Sequence, residues 1–479
     1  MGHRLAGAQS GKKFRPALFE PFDGGEFDGA ETANHVRQAD KLDGKRVIAG
    51  VGANTYDQLA NIVMQLVSLP IYLSHWDVRT YGTWLVISAI PSYLSMADVG
   101  MVTVAGNRMS MLAGAGDMHG ANRVFQSAQM FILLTCATIA LLAIPAALLL
   151  PVSMLGSLDM RVALAALLAG VLLSLGAGLS GAAFLSTSRY ALGMSLNVTS
   201  RLAEWLGGIA GLLLAGSFSA VALGMLAVRV LTLLWISRTS TRTGAGLSWG
   251  MRDADWREVR AMLRPSIAFM SFPISNALSF QGFTLLTAHL LGPAAVAVFN
   301  TYRTVARVAV QVTSTLSHAL WPEFARMFGG GEHRNLRRLL LQSALLGGAG
   351  AIALSALLYV CAPLLLKIWT KGQIPFHASI MAAFLCYAAL AGLWHIPRVI
   401  LLATNQHARL GVAALLVSAS SLLLAFVLGT HYQIMGLVAA MIAGEVVAMS
   451  VCFWLTARTF LSRDNQAEEI DESSAVHYR

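Results

Sequence analysis

The stretch 124–150, VFQSAQMFILLTCATIALLAIPAALLL, decides the fold class, because no charged side chain occurs between Val124 and Leu150. A helix needs about 20 mostly apolar residues to cross the hydrocarbon core of a bilayer. This stretch is long enough to do so with residues to spare. The sequence therefore predicts a membrane-spanning α-helix here.

Similar apolar segments lie on both sides of this one. They run at 47–73, 81–107, 161–186, 190–215 and 218–238, and after a charged interval at 262–291, 295–325, 338–362, 376–403, 407–430 and 433–460. Of the 479 residues, 56% are hydrophobic and 12% are charged, against roughly 25% charged in soluble domains. We therefore predict an all-α polytopic membrane protein with about 12 transmembrane helices.

The segments also predict a domain organisation. Residues 47–238 form an N-lobe of six helices, 239–261 a cytoplasmic linker, and 262–460 a C-lobe of six helices. Residues 1–46 are polar and lack the apolar region of a signal peptide, so we predict a disordered cytoplasmic N-terminal tail. Residues 461–479 form a cytoplasmic C-terminal tail.

Basic residues set the predicted orientation. The loops after odd-numbered segments hold only Arg79, Arg161, Lys367 and Lys371. Arginines concentrate in or beside the loops after even-numbered segments, at Arg108, Arg123, Arg189, Arg238, Arg242, Arg252, Arg257, Arg260, Arg264, Arg326, Arg334, Arg337, Arg338 and Arg409. Because cytoplasmic loops are rich in Lys and Arg, both termini are expected in the cytoplasm. The net charge of +10 is explained in the same way, so no nucleic-acid partner is expected.

The four cysteines, Cys136, Cys361, Cys386 and Cys452, lie in apolar stretches at irregular spacing. This pattern is typical of small packing residues and fits neither a disulfide framework nor a zinc site. The sequence implies no metal and no cofactor.

The two halves contain related sequences. Residues 110–128 (SMLAGAGDMHGANRVFQSA) align without gaps with 326–344 (RMFGGGEHRNLRRLLLQSA), and both end in Gln-Ser-Ala. The same offset superposes the second segment on the eighth and the third on the ninth. Internally repeated halves are typical of transporters, in which the substrate site lies between the repeats near the midplane.

Two stretches resemble polysaccharide-export proteins. Residues 81–84 (YGTW) followed by 93–100 (YLSMADVG) are similar to the second helix of this family. Residues 299–307 (FNTYRTVAR), continuing to 320–324 (LWPEF), are similar to its eighth helix. These are lipid-linked oligosaccharide (O-antigen-type) flippases of the multidrug/oligosaccharidyl-lipid/polysaccharide exporter superfamily. The similarity covers about residues 47 to 460.

The resemblance implies two six-helix lobes that form a V around a central cavity. It implies an undecaprenyl-diphosphate-linked oligosaccharide as substrate, moved across the bacterial inner membrane for surface or exopolysaccharide synthesis. Membrane lipids and the polymerase and export machinery of the same pathway are the other partners that it implies.

The eighth segment carries a polar stripe on an otherwise apolar helix. At roughly 100° per residue, one face collects Asn300, Arg303, Arg307, Gln311, Ser314 and His318. Two guanidinium groups one turn apart suit a diphosphate, because arginine stays ionised and binds phosphate oxygens in pairs. The alternative is that both arginines reach towards the periplasmic interface and bind no ligand.

The first segment carries a second polar stripe. Its members are Asn54, Asp57, Gln58, Asn61, Gln65, Ser68 and Tyr72. Amides and hydroxyls of this kind could bind sugar hydroxyls along an aqueous path, or they could join helices by hydrogen bonds within the bundle. Asp57 could neutralise an arginine of the opposite lobe or carry a proton.

Other charges stand singly in apolar segments, where a charge needs a partner, a cavity or water. Arg201 and Glu204, three residues apart, are predicted to pair. Arg229 and Arg398 have no local partner in the sequence and are candidate cavity residues. Asp57, His318 and Glu445 are the candidates for ion coupling.

The sequence favours a flippase working by alternating access over two other classes. A multidrug or cation antiporter of the same superfamily would line its cavity with carboxylates, whereas arginines predominate among the candidates here. A membrane glycan polymerase or ligase would need a large external loop with catalytic residues, whereas the longest one runs from Pro363 to Pro375 and contains no acid. We therefore do not expect an enzyme.

Overall fold

A computed structural model describes residues 29–149, 157–187, 189–243, 247–330, 332–404 and 408–476. The chain divides into two compact units, Met1–Val51 and Gly52–Arg479. All contacts described below lie within the second unit.

The described residues are almost entirely helical. The helices are α1 (Gly29–His75), α2 (Val78–Leu94), α3 (Met101–Gly114), α4 (Met118–Leu149), α5 (Leu158–Ser186), α6 (Tyr190–Ala215), α7 (Phe218–Thr243), α8 (Trp256–Phe269), α9 (Ser271–Ala277), α10 (Phe283–Leu291), α11 (Pro293–Gly329), α12 (His333–Trp369), α13 (Ala378–Ala403) and α14 (Ala408–Val476), with a π-helical turn at Leu278–Gly282 between α9 and α10. The predicted all-α class is confirmed.

Three predicted segments differ from the helices. The second segment is broken into α2 and α3 by a turn in which Asp98 accepts hydrogen bonds from the backbone of Gly100 and Val102. The seventh is broken into α8, α9, the π turn and α10. The last two join in α14, where Gln433 alone has non-helical angles (φ 50°, ψ −135°).

Within the described ranges, six helices are long and apolar enough to cross a bilayer by length and composition: α4, α5, α7, α12, α13 and α14. The apolar part of α14, Arg409–Thr459, has 51 residues and is long enough for two crossings at 1.5 Å per residue. The total of about 12 crossings remains a prediction from the sequence.

The predicted tail at 1–46 is only partly described. Residues 1–28 lie outside the described residues, whereas α1 is already helical from Gly29. The predicted disorder of the tail stays a prediction. Lys, Arg, Glu and Gln are good helix formers, so the polarity of this stretch did not argue against a helix.

The helices pack in two groups. The first bundle contains α1 from Gly52 onward and α2 to α8; α1 is hydrogen bonded to α6, and α5 contacts α2, α3, α4, α6 and α7. The second bundle contains α9 to α14 and is built around α13, which packs on α11, α12 and α14. Although the sequence places residues 262–269 in the C-lobe, α8 packs against α3 and α4, because its apolar side chains Val259 and Met262 are fully buried there.

The segment before α8 is bound along α4 by side-chain hydrogen bonds. The Gln126 amide donates to the Ser248 carbonyl (3.1 Å) and accepts from the Asp253 backbone N–H (2.7 Å). Asn122 accepts from the Ser248 N–H (2.8 Å), and Ser127 accepts from the Asp255 N–H (2.9 Å). These bonds to α4 therefore hold residues 248–255 of the predicted linker against the first bundle.

The bundles meet where α2 and α11 begin. A Cβ atom on Gly82 would overlap the carbonyl oxygen of Pro293, so only glycine permits this close helix contact. Two side chains near the end of α12 reach α1 at the same junction: Trp369 donates to the Leu66 carbonyl and Gln373 to the Leu73 carbonyl, each at 2.6 Å.

Candidate functional site

A cavity of about 520 Å³ lies between the two bundles. One wall is the part of α2 that follows the Gly82 junction, and the other is formed by α9, the π turn, α10 and α11. Its lining residues are Leu85, Ser88, Ser92, Ser95, Met96, Asn276, Ala277, Phe280, Gln281, Thr284, Asn300, Arg303 and Arg307. We call this space the central cavity. Among its described lining residues the charged side chains are two arginines, with no carboxylate.

Arg303 is held by the π turn opposite it. Its guanidinium donates to the Phe280 carbonyl and the Thr284 hydroxyl, each at 2.9 Å, and to the Asn300 side-chain oxygen. A π turn leaves carbonyl groups less regularly bonded than an α-helix does, and such turns recur at functional sites. Arg303 is 7% exposed, and three bonds leave two of the five guanidinium N–H donors available.

Arg307 follows one turn later and has fewer protein contacts. Its guanidinium lies over the Phe280 ring, 4.8 Å from the centroid, while Arg303 lies 5.2 Å from the same centroid. Among the described residues, neither arginine is ion-paired. Two neighbouring cations without a counterion are electrostatically costly, and an anion in the cavity would relieve that cost.

Ser88 and Ser92 on α2, and Ser95 directly after its last residue, face this wall, and the sequence did not single them out. Their spacing of four and three residues places them on one helical face. This spacing was visible in the sequence, but serine is also a common packing residue between membrane helices. The signal was therefore too weak to find them.

Three predicted residues lie in a different pocket, inside the first bundle. Asp57, Arg201 and Arg229 line a pocket of about 270 Å³ among α1, α5, α6 and α7. Arg201 is ion-paired with Asp57, and Arg229 with Glu204, whose side chain is 5% exposed. The predicted Arg201–Glu204 pair is wrong, because each residue finds its partner on another helix. Arg229 has a carboxylate partner and does not line the central cavity.

Two further predicted residues lie in a pocket of about 240 Å³ inside the second bundle. Arg398 and Glu445 both line it. Trp394 donates to Glu445 (2.8 Å), and its ring lies 5.8 Å from the Arg398 guanidinium. Glu445 is also hydrogen bonded to Tyr387 and attracted by Arg398. Arg229 and Arg398 therefore do not line the central cavity, although the pocket of Arg398 adjoins it, since Asn276 and Phe280 line both.

The polar stripe on α1 is divided among several partners. Gln58 accepts from Gln311 of α11 (3.1 Å), which joins the bundles, and Asn61 donates to Asp57 (3.4 Å). Gln65 and Gln311 line a mainly apolar groove between α1, α11 and α12. Asn54 is exposed. The side chain of His318 lies outside the described part of the chain.

No family model and no curated protein matches this sequence. Solved structures do match. An inward-facing multidrug resistance MATE family transporter of the MOP superfamily gives a TM-score of 0.69 at 14% identity, covering 84% of this chain and 95% of that chain. An outward-facing structure of such a transporter gives 0.58 at 16% identity, covering 87% and 94%.

A third structure is a MOP superfamily transporter from Pyrococcus furiosus, described as having reverse polarity of its binding pocket, which suggests a different function. Its TM-score is 0.56 at 15% identity, covering 87% of this chain and 94% of that chain. The chain therefore has the fold of these transporters and is an all-α polytopic membrane protein. The fold that the resemblance implied is confirmed, while the superfamily and the flippase branch stay predictions.

Proposed function

We propose that this chain flips an undecaprenyl-diphosphate-linked oligosaccharide across the bacterial inner membrane by alternating access, with both termini in the cytoplasm. The observation that carries the proposal is the Arg303–Arg307 pair, which lies in a cavity between two bundles without a carboxylate partner among the described residues. A diphosphate supplies the missing negative charge and accepts paired N–H donors.

The fold supports a transport mechanism. Structures of this fold have been captured facing inward and facing outward. In the present chain the junction at Gly82 and Pro293 closes one end of the bundles, and the central cavity lies beyond it. With the predicted orientation, the closed end is periplasmic and the cavity receives substrate from the cytoplasmic side.

The alternative is a multidrug or cation antiporter, as two of the matched structures are multidrug transporters. Holding a cation requires an available carboxylate in the cavity. The three acids of the apolar segments are instead engaged elsewhere: Asp57 with Arg201, Glu204 with Arg229, and Glu445 with Trp394 and Tyr387. This arrangement favours an anionic substrate.

Binding of a fluorescent polyprenyl-diphosphate oligosaccharide in nanodiscs tests the proposal. We expect Arg307→Gln to weaken binding about 10- to 100-fold, the value of one or two charge-assisted hydrogen bonds. Because Arg307 makes no hydrogen bond to the described residues, its loss is expected to leave the melting temperature nearly unchanged.

Two further variants sharpen the test. Arg307→Lys keeps the positive charge but loses the paired N–H donors of the guanidinium group, so binding of intermediate strength is expected. Arg260→Gln, on the exposed face of α8, is the matched control and is expected to bind as wild type does. Equal affinity of wild type and Arg307→Gln would contradict the proposed site.

A further inference from the structure

The wall of the central cavity opposite the arginines offers hydrogen-bond acceptors. The Ser88 hydroxyl donates to the Leu85 carbonyl (3.1 Å), Ser92 to the Ser88 carbonyl (3.0 Å), and Ser95 to the Ser92 carbonyl (2.7 Å). A hydroxyl has one donor and two acceptor lone pairs. Because each hydroxyl donates to a carbonyl of α2, these side chains meet the cavity as acceptors.

Two amides complete this polar lining. Asn276 and Gln281 both line the central cavity, and neither makes a side-chain hydrogen bond to any residue in the described ranges. An amide can both donate and accept. The lining between α2 and the π turn thus complements groups that donate and accept hydrogen bonds but carry no charge.

The serines do not stand alone as evidence for a ligand. Arg303 is more than nine-tenths buried, lines the same cavity, and has no anionic partner among the described residues while two of its donors remain available. The cavity therefore combines a cationic wall with a neutral wall of acceptors. A ligand that fits both walls has a phosphate group joined directly to a group rich in hydroxyl donors.

We propose that Ser88, Ser92 and Ser95, together with Gln281, bind the hydroxyl groups of the sugar next to the diphosphate, so that the transporter distinguishes a sugar-bearing polyprenyl diphosphate from the bare lipid. This inference rests on the proposed function, since it takes the arginine pair as the diphosphate site. It adds that α2 is the specificity-determining wall.

The test measures the affinity of the full-length protein in nanodiscs for two lipids, polyprenyl diphosphate and the same lipid carrying an oligosaccharide. We expect wild type to bind the sugar-bearing lipid more tightly. The triple variant Ser88→Ala, Ser92→Ala, Ser95→Ala is expected to lose about tenfold in affinity for the sugar-bearing lipid, as for three weak hydrogen bonds. Its affinity for the bare lipid is expected to stay the same.

A matched control lies on the same helix. The Thr83 hydroxyl makes the same kind of bond, to the Arg79 carbonyl at 3.0 Å, but Thr83 does not line the central cavity. Thr83→Ala is expected to bind both lipids as wild type does. If the triple variant fails to fold, the affinities of the three single serine variants and of Gln281→Leu for the two lipids are compared instead, and each variant is expected to lose affinity for the sugar-bearing lipid only.

The outcomes separate this inference from the proposed function. If wild type prefers the sugar-bearing lipid and the serine and Gln281 variants keep that preference, the inference is overturned and the diphosphate site stands. If wild type binds both lipids equally, the inference is likewise overturned and the diphosphate site stands. If wild type binds neither lipid, the proposed function and the inference fall together.

Discussion

At the scale of single residues, partners separate structural arginines from candidate ligand-binding ones. Arg201 and Arg229 each have a carboxylate on another helix, whereas in the described part of the chain Arg303 and Arg307 contact neutral acceptors and the rings of Phe280 and Phe299. An arginine paired with an acid is neutralised and contributes to packing. An arginine without an acid retains its capacity to bind an anion.

The Arg229–Glu204 pair gives a stability prediction. Arg229→Gln leaves the nearly buried Glu204 without its ion-pair partner, and we expect a loss of about 3 kcal/mol in unfolding free energy. The double variant with Glu204→Gln is expected to recover most of that loss, as measured by reversible denaturation in detergent. The exposed Arg326–Glu323 pair is the control, and Arg326→Gln is expected to leave the unfolding free energy nearly unchanged, because solvent screens an exposed pair. Equal stability of the single and double variants would contradict the assignment.

Spacing in the sequence located the arginine pair but not the other charged partners. The eighth segment placed Asn300, Arg303 and Arg307 on one face, and all three line the central cavity. For Arg201 and Glu204 the same logic of spacing was wrong. Partners within a helix are set by its period, whereas partners on another helix depend on packing that a single sequence does not reveal.

At the scale of elements, the least predictable feature is the segment that runs along α4. Asn122, Gln126 and Ser127 stand at the start of a long apolar helix and read as polar interruptions. In the structure these side chains accept hydrogen bonds from backbone N–H groups of residues 248–255, which in a helix or strand would bond to other backbone groups. Side-chain bonds to irregular backbone have no sequence period, so no pattern indicates them.

Hydrogen exchange of residues 247–255 tests this attachment. Gln126→Leu removes the bonds to Ser248 and Asp253, and we expect amide exchange in the segment to rise about tenfold or more, because each lost bond is worth about 1 kcal/mol. Gln342→Leu is the matched control. Gln342 is the counterpart of Gln126 in the internal repeat but is exposed, so its replacement is expected to leave exchange unchanged. Unchanged exchange in Gln126→Leu would show that the segment is held by other contacts.

The close contact at Gly82 gives a prediction about conformation. A methyl group at this position overlaps the Pro293 carbonyl, so Gly82→Ala is expected to force α2 and α11 apart and to open this end. Spin labels at the exposed positions Arg79 and Ala294 report the separation by pulsed electron paramagnetic resonance, and a shift to longer distances is expected.

Gly114→Ala, on α3, is the control for that measurement. No atom lies within 4 Å of a Cβ placed on Gly114, so the distances between the labels are expected to match those of wild type. If Gly82→Ala leaves the distances unchanged as well, the junction does not hold the two bundles together.

At the scale of the whole molecule, composition and the apolar segments predicted the all-α membrane class, and five helices, α5, α6, α7, α11 and α13, begin and end within five residues of the predicted segments. The breaks were harder to foresee. The π turn at Leu278–Gly282 lies within an apolar segment, and it is what brings the Phe280 carbonyl to Arg303. The serine wall was missed for a related reason, since only packing shows that α2 faces the arginines across a cavity.

The arrangement of the bundles explains how one cavity could serve both sides of a membrane. The contacts at Gly82, Trp369 and Gln373 close one end, while α8 and the segment before it move with the first bundle because they are bound to α3 and α4. In the proposed mechanism, opening the closed end separates α2 from α11 at this junction, and the internal packing of each bundle is retained.

The most direct test is flipping in proteoliposomes. A fluorescent polyprenyl-diphosphate oligosaccharide is placed in one leaflet, and the fraction reaching the other leaflet is measured for wild type, Arg307→Gln and the Arg260→Gln control. We predict flipping by wild type and the control, and strongly reduced flipping by folded Arg307→Gln. Absence of flipping by wild type, together with efflux of cationic dyes from the same vesicles, would contradict the proposed flippase and favour the antiporter.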